Sequence, residues 1–258
     1  MKEIKIKCPA KINLNLKVFE VDKETGFHPI KSVMQAISLY DFLTIKIKDG
    51  NNLKLNGTSK EIPYDEKNIC HKAAKLVLEK INKNLDIEIY IEKNIPVCAG
   101  LAGGSTNAAG VLYGLNLLLD KPLNSSDIHL LASKLGSDLN FCLEGGKKLC
   151  TSRGEKLENL DFEEFDLCLV KPKNLQISAR EAYLAFDDLK EKSTMPNDLE
   201  FALLDKYNEL KFLNSLDLQM SGSGPTYFIK QPKLNIKLDD NYQVIENLKA
   251  INEGISAI

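Results

Sequence analysis

Pro96-Val97-Cys98-Ala99-Gly100-Leu101-Ala102-Gly103-Gly104-Ser105-Thr106 runs directly into Asn107-Ala108-Ala109-Gly110-Val111-Leu112-Tyr113-Gly114-Leu115. It reads as a small-residue loop followed by a helix. Gly100, Gly103 and Gly104 can adopt positive φ and leave no Cβ between the backbone and a bound group. Ser105 or Thr106 suits the N-cap of a helix that Ala108, Val111, Leu112 and Leu115 continue on one face. The unpaired N–H groups and positive dipole end of such a helix attract an anion such as phosphate. Upstream, Leu85-Asp86-Ile87-Glu88-Ile89-Tyr90-Ile91 alternates apolar and polar residues, which predicts a strand delivering the loop to a sheet edge. Strand, phosphate loop and helix form the organising unit. The plainer reading of three glycines is a tight turn that only packs a helix on a sheet.

The loop lacks Gly-x-x-x-x-Gly-Lys-Ser/Thr, which argues against a P-loop protein. It also lacks Gly-x-Gly-x-x-Gly with an acidic residue about 20 positions on, the mark of a Rossmann dinucleotide site. The chain has 258 residues, 43% hydrophobic and 27% charged, ordinary values for a globular protein with a substantial core. Its net charge of −2 gives no reason to expect nucleic acid or an anionic membrane as partner. Cys8, Cys70, Cys98, Cys142, Cys150 and Cys168 are scattered, as are His28, His71 and His129, so neither a disulfide framework nor a zinc site is indicated. The N-terminus lacks the apolar core of a signal peptide and no apolar run approaches a membrane span. A cytoplasmic protein is expected.

Residues 3–19 read as a strand. From Lys11 onward it alternates, so Lys11, Asn13 and Asn15 share one face and Ile12, Leu14 and Leu16 the other. A polar row of this kind on an exposed edge strand is ordinary. After a polar turn at 22–26, Phe27-His28 lies between Gly26 and Pro29, where an aromatic beside a histidine suits a flat ring. Strand resumes over 33–39, and 41–48 with 53–55 suggest a hairpin around Asp49-Gly50-Asn51-Asn52. Residues 67–83 have helical spacing, with Asn68 near the start. Ser126-Asp127 is expected to cap a helix that stops at Gly136. Asp138 follows directly, placed to project into a cleft or to cap the next turn. A lysine near it, Lys11 from an independent segment, can hold such a carboxylate ionised and orient a substrate hydroxyl for phosphoryl transfer. Beyond residue 155 the chain reads as an α+β unit. It has a strand at 165–171, helices from Ser178 and Asn197 with a polar stretch at 187–196 between, and a second glycine element at 221–225. A strand and short helix follow over 242–252.

Pro9-Ala10-Lys11-Ile12-Asn13-Leu14, the loop 96–106 with its helix, and Met220-Ser221-Gly222-Ser223-Gly224-Pro225 resemble the three motifs of the GHMP kinases, in order. Gly26-Phe27-His28-Pro29-Ile30 and Leu135-Gly136-Ser137-Asp138-Leu139-Asn140-Phe141 are similar to one branch of that family. Its members phosphorylate the 2-hydroxyl of 4-diphosphocytidyl-2-C-methyl-D-erythritol in non-mevalonate isoprenoid synthesis. The resemblance implies a two-domain α+β fold. A ribosomal S5 domain 2-like ATP-binding domain would cover residues 1–154, and a ferredoxin-like domain residues 155–258. It also implies ATP with Mg²⁺, wrapped by Pro96, Val97, Cys98, Ala99, Gly100, Leu101, Ala102, Gly103, Gly104, Ser105 and Thr106. The metal would be carried by ATP, near Ser105 or Thr106. Asn68 and Lys93 would lie by the adenosine. Asp138 would act as base on, or orient, the substrate hydroxyl, with Lys11 beside it. Asn13 and Ser178 would contact the substrate, His28 would read the cytosine edge, and Phe27 and Tyr183 would sandwich the ring.

The chain departs from the family pattern in three places. Phe27 replaces a usual Tyr, and Ala102, Thr106 and Asn107 replace Gly, Ser and Asp in the loop, where the Ala102 methyl is expected to weaken ATP binding. Ser137-Asp138-Leu139-Asn140-Phe141 replaces Ala-Asp-Val-Pro-Phe. Two other readings stand beside this one: another small-molecule GHMP kinase, and a catalytically impaired nucleotide-binding homologue. Phe27-His28 favours a base-bearing substrate over mevalonate, homoserine or a sugar. A monomer or homodimer without nucleic-acid or membrane partners is expected.

Overall fold

The structure, a computed structural model, describes residues 1–191 and 193–258. The chain opens with β1 (Lys2–Val18), β2 (Ile30–Asp49) and β3 (Leu53–Gly57). α1 (Ile69–Ile81), β4 (Leu85–Glu92) and α2 (Gly103–Leu118) follow. Next come α3 (Ser125–Leu135), α4 (Leu139–Glu144), β5 (Lys147–Ser152) and β6 (Lys156–Asn159). The remainder comprises β7 (Asp166–Pro172), α5 (Ala179–Asp187), α6 (Asp198–Leu204), α7 (Asn208–Ser215), β8 (Gln219–Met220), β9 (Tyr227–Ile229), β10 (Tyr242–Lys249) and β11 (Ser256–Ala257).

The first sheet has the order β11-β1-β2-β4-β3. β2 is long enough to serve two partners: Phe42–Asp49 pairs with β4, and Ile30–Gln35 pairs with β5, which in turn carries β6. The second sheet has the order β10-β7-β9-β8. β6 and β11 lie beyond residue 154 yet hydrogen-bond into the first sheet, so the sheets do not divide at 154/155. Alternation along β2 and β4 sends Leu43, Ile45, Ile47, Ile87, Ile89 and Ile91 into one core, beneath α1 and α2. Gly110 and Gly114 let α2 press onto that sheet. A methyl at Gly110 would fall 2.6 Å from Cys8 Sγ, and one at Gly114 2.7 Å from Ile45 Cδ1. A second core lies under α5, α6 and α7, around Val170, Leu199, Leu203, Leu210 and Tyr227.

Several sequence expectations change here. The 41–55 hairpin does not form: β4 lies between β2 and β3, and β3 pairs with β4 in parallel, reached through the α1 crossover. β4 is therefore internal rather than an edge strand. β1 is also internal, between β11 and β2, and its polar row is broken by a register shift between Asn13 and Asn15. Lys11 and Asn13 are buried. α3 begins at Ser125, ahead of the expected Ser126-Asp127 cap, with Asn124 as the N-cap whose side chain accepts from Asp127 N–H. Asn68 caps α1 and Ser178 caps α5. No helix follows β10 within 250–258. Of the polar stretch 187–196, Lys192 lies outside the described residues.

Candidate active site

The loop between β4 and α2 is built from reversals of backbone hand. Cys98 (φ 49°), Gly100 (φ 72°) and Ala102 (φ 58°) are left-handed, while Ala99 and Leu101 between them are not. Such alternation turns successive N–H groups toward one side and makes an anion-binding concavity. Of the three glycines expected to supply positive φ, only Gly100 does; Gly103 and Gly104 already belong to α2. Two residues with side chains, Cys98 and Ala102, take the conformation instead, at roughly 1–2 kcal/mol each. The N-cap is Ala102, without a side-chain cap bond, so neither Ser105 nor Thr106 caps the helix. Both lie within its first turn. Ser105 lines the cavity, whereas Thr106 is fully buried and its hydroxyl has no hydrogen-bond partner among the described residues.

The cavity beside the loop has a volume of about 670 Å³. Pro96–Gly100 and Ala102–Ser105 form one wall; Leu101 is buried behind it, its carbonyl accepting from Lys11 N–H at 3.1 Å. Ile62, Pro63, Ile69 and Ile91 make an apolar wall around Asn68 and Lys93. The polar ends of both these residues are already engaged. Asn68 Oδ1 accepts from Cys70 N–H at 2.9 Å and its Nδ2 donates to the Pro63 carbonyl at 2.6 Å. Lys93 Nζ lies 2.5 Å from Asp41 Oδ2 and 2.9 Å from the Ile95 carbonyl.

Across the cavity β1 brings Lys11 to the loop. Its Nζ donates to Asn13 Oδ1 at 2.6 Å and to the Gly100 carbonyl at 2.9 Å, and lies 3.6 Å from Asp138 Oδ2. The lysine side chain is 5% exposed and the aspartate 28%. Asp138 precedes α4 but makes no side-chain cap bond, so its carboxylate remains turned to the cavity. Asn13 is spent on support: its Nδ2 donates to Ser32 Oγ at 2.7 Å. The second glycine element closes over this pair. Ser221 Oγ donates to the Gly100 carbonyl at 3.0 Å, and a methyl at Gly222 would fall 3.0 Å from Lys11 Nζ. A methyl at Gly100 would fall 2.1 Å from the Ser221 carbonyl, so the close approach of the two loops requires glycine there. Asn197 fixes the second element from below, donating to the Met220 and Gly222 carbonyls at 2.9 Å each.

The far end carries the aromatic residues. Ser178 and Tyr183 line the cavity. Burial, aided by the nearby Asp138 charge, pushes the Tyr183 phenol up to about 12. His28 stacks on Tyr183 with centroids 5.4 Å apart and an interplanar angle of 24°. Its Nδ1 lies 2.7 Å from the Phe19 carbonyl and its Nε2 3.1 Å from Asp187 Oδ1. Phe27 is 52% exposed and stands outside the cavity wall, with the Arg153 guanidinium 5.0 Å from its ring centroid. The structure thus gathers Lys11, Asp138, the loop, Ser178 and Tyr183 on one cavity, and leaves Phe27 and His28 at its rim.

Four residues of this site were missed in the sequence: Asp41, Arg153, Asp187 and Asn197. Asp41 carried a signal, because it shares the parity of Leu43, Ile45 and Ile47 on the buried side of β2. A charge at such a position needs partners. Arg153 sits in a turn and Asp187 and Asn197 at helix ends, where the local sequence marks the break in structure but not what each side chain faces.

Residues 68–146 match the GHMP kinases N terminal domain family. The chain is 40% identical over 254 residues to the 4-diphosphocytidyl-2-C-methyl-D-erythritol kinase of Clostridium tetani, covering 87% of this chain and 90% of that protein. It is 34% identical over 306 residues to the kinase of the same name from Prochlorococcus marinus subsp. pastoris, covering 99% and 98%. A crystal structure of 4-(cytidine 5'-diphospho)-2C-methyl-D-erythritol kinase superposes with a TM-score of 0.70 at 28% identity, over 87% of this chain and 89% of that one. The α+β architecture of two sheets with their helices is that of the GHMP kinases. The chain belongs to the 4-diphosphocytidyl-2-C-methyl-D-erythritol kinase family of the GHMP kinases.

Proposed function

We propose that the protein transfers the γ-phosphoryl group of ATP to the 2-hydroxyl of 4-diphosphocytidyl-2-C-methyl-D-erythritol. The observation that carries this reading is the Lys11–Asp138 pair, 3.6 Å apart, facing the same cavity as a loop whose N–H groups converge. The phosphates lie along Pro96–Ser105, held by backbone N–H groups and the N-terminus of α2. Adenine rests against Ile62, Pro63, Ile69 and Ile91, with Asn68 and Lys93 forming the rigid frame of that wall. Asp138 receives the proton of the acceptor hydroxyl as its oxygen attacks the γ-phosphorus, and the bond to the β-phosphate bridging oxygen breaks to release ADP. Lys11 fixes the carboxylate and places a positive charge by the transferring group.

Among the described residues no three His, Cys, Asp or Glu side chains converge. A metal carried by the nucleotide would meet the Ser105 hydroxyl, which lies on the cavity wall in the first turn of α2. Bound there, Mg²⁺ would neutralise phosphate charge. We put the division between the two domains after β6, near residues 160–165, a reading supported by the pairing of β6 and the C-terminal β11 into the first sheet. No helix among the described residues is long and apolar enough to cross a membrane.

The cytosine ring lies against Tyr183 and Phe27. For His28 to meet the base edge, its Nε2 gives up Asp187, whose side chain is 49% exposed and free to turn into solvent. His28→Ala is therefore expected to raise KM for the CDP-linked acceptor about tenfold or more, the cost of one lost charge-assisted or buried hydrogen bond. KM for ATP stays within about twofold. Equal changes in the two constants would contradict the cytosine assignment.

A further inference from the structure

Asp41 is a fully buried carboxylate that the chemistry above does not use. Its two oxygens accept four hydrogen bonds. Oδ1 takes the backbone N–H groups of Asn94 at 2.7 Å and Ile95 at 2.8 Å. Oδ2 takes Lys93 Nζ at 2.5 Å and Asn107 Nδ2 at 2.9 Å. Asn94 and Ile95 stand where the chain leaves β4 for the phosphate loop, and Asn107 stands on α2 just after the loop ends. One carboxylate thus grips both ends of the segment 96–102, while Lys11 and Ser221 pin its middle through the Gly100 carbonyl. Lys93 is held in the same knot: a methyl at Gly103 would fall 2.8 Å from its Nζ.

We infer that Asp41, acting through Lys93 and Asn107, is the positioning residue that keeps the phosphate loop in its ATP-binding shape. The inference rests on the reading of that loop as the ATP site. A buried charge cluster of this kind also stabilises a fold in general, and the donor–acceptor sense separates the two roles. Asn107 presents its NH₂ to a carboxylate. An aspartate at 107 would set two carboxylates face to face, and an asparagine at 41 would set an amide NH₂ against Lys93 and Asn107. Making both changes at once reverses the sense of the 41–107 bond, keeps the net charge, and returns one carboxylate to the neighbourhood of Lys93.

The test uses the full chain as wild type, Asp41→Asn, Asn107→Asp and the double variant, with KM for ATP, KM for the acceptor, kcat and Tm measured for each. Each single change is expected to raise KM for ATP about 10- to 100-fold, because a displaced loop misplaces its N–H groups. KM for the acceptor stays within about twofold, and the double variant recovers to within about threefold of wild type, a coupling that independent sites do not show. Where Asp41→Asn does not fold, Asn107→Ala gives the same KM readout with the Asp41–Lys93 pair intact. A fall in Tm with KM for ATP unmoved, or additive losses in the double variant, would overturn the inference. A wild type that ATP does not saturate would overturn the ATP reading and this inference together; a saturable wild type with unmoved variants overturns this one alone.

Discussion

Asp138→Ala is expected to lower kcat by about 10²–10⁴-fold, the usual contribution of a positioned general base. Among the described residues Asp138 is the only carboxylate on the cavity wall, so no neighbour can take over its proton. The loss should fall on kcat. The ATP loop is shaped by contacts with Lys11, Ser221 and Asp41, none of which passes through Asp138, so KM for ATP should move by no more than about threefold. Nor should the fold suffer much, because Asp138 makes no cap bond to α4 and its partner Lys11 keeps Asn13 and the Gly100 carbonyl. Asp138→Asn separates the two roles. It keeps shape and one acceptor oxygen but cannot take a proton, and activity near wild type in that variant would assign Asp138 to orientation alone. Steady-state ADP release with both variants decides this, and turnover indifferent to Asp138→Ala would contradict the mechanism.

Lys11→Met should cost about 10²–10³-fold in kcat, in the range found when one donor to a developing charge is removed. The substitution keeps much of the apolar stem but strands Asn13 Oδ1, leaves the Gly100 carbonyl with Ser221 Oγ as its donor, and takes the cation from Asp138. Because the Gly100 carbonyl belongs to the phosphate loop, KM for ATP should rise as well, which distinguishes this variant from Asp138→Ala. Lys11→Arg is not expected to restore activity. The amine sits where a methyl on Gly222 would already approach to 3.0 Å, and a planar guanidinium needs more room than that. Wild-type kinetics for Lys11→Met, or full recovery in Lys11→Arg, would show that the cation at this point is dispensable or that its fit is loose.

How much of this was legible depended on range. The helix that starts near Asn68, the strand before the glycine loop and the helix from Ser178 all follow from spacing within about ten residues, and the structure has them. The partner of a strand was less legible. Leu53-Lys54-Leu55 alternates identically whether it folds back on β2 or runs parallel beside β4, and only the α1 crossover settles the matter. Lys11 reads as part of an exposed row because what buries it is distant in sequence: its N–H and amine meet the Leu101 and Gly100 carbonyls and Gly222 packs on the amine, while β11 covers β1 only at Ile6 and Lys7. The hand of the loop was misread because glycine is the cheapest residue at positive φ without being the necessary one. Ala102 accepts it so that the helix can begin at Gly103. Asp41 and Lys93 are 52 residues apart, and each has an innocent local reading; their pairing is a property of the sheet.

The most direct measurement is ADP formation in the presence of Mg²⁺ with 4-diphosphocytidyl-2-C-methyl-D-erythritol, set against mevalonate, homoserine and no acceptor. Turnover with the CDP-linked acceptor alone is the predicted result. Turnover with mevalonate or homoserine instead would contradict the base-binding end of the site, and ATP binding without turnover on any acceptor would contradict the roles given to Lys11 and Asp138.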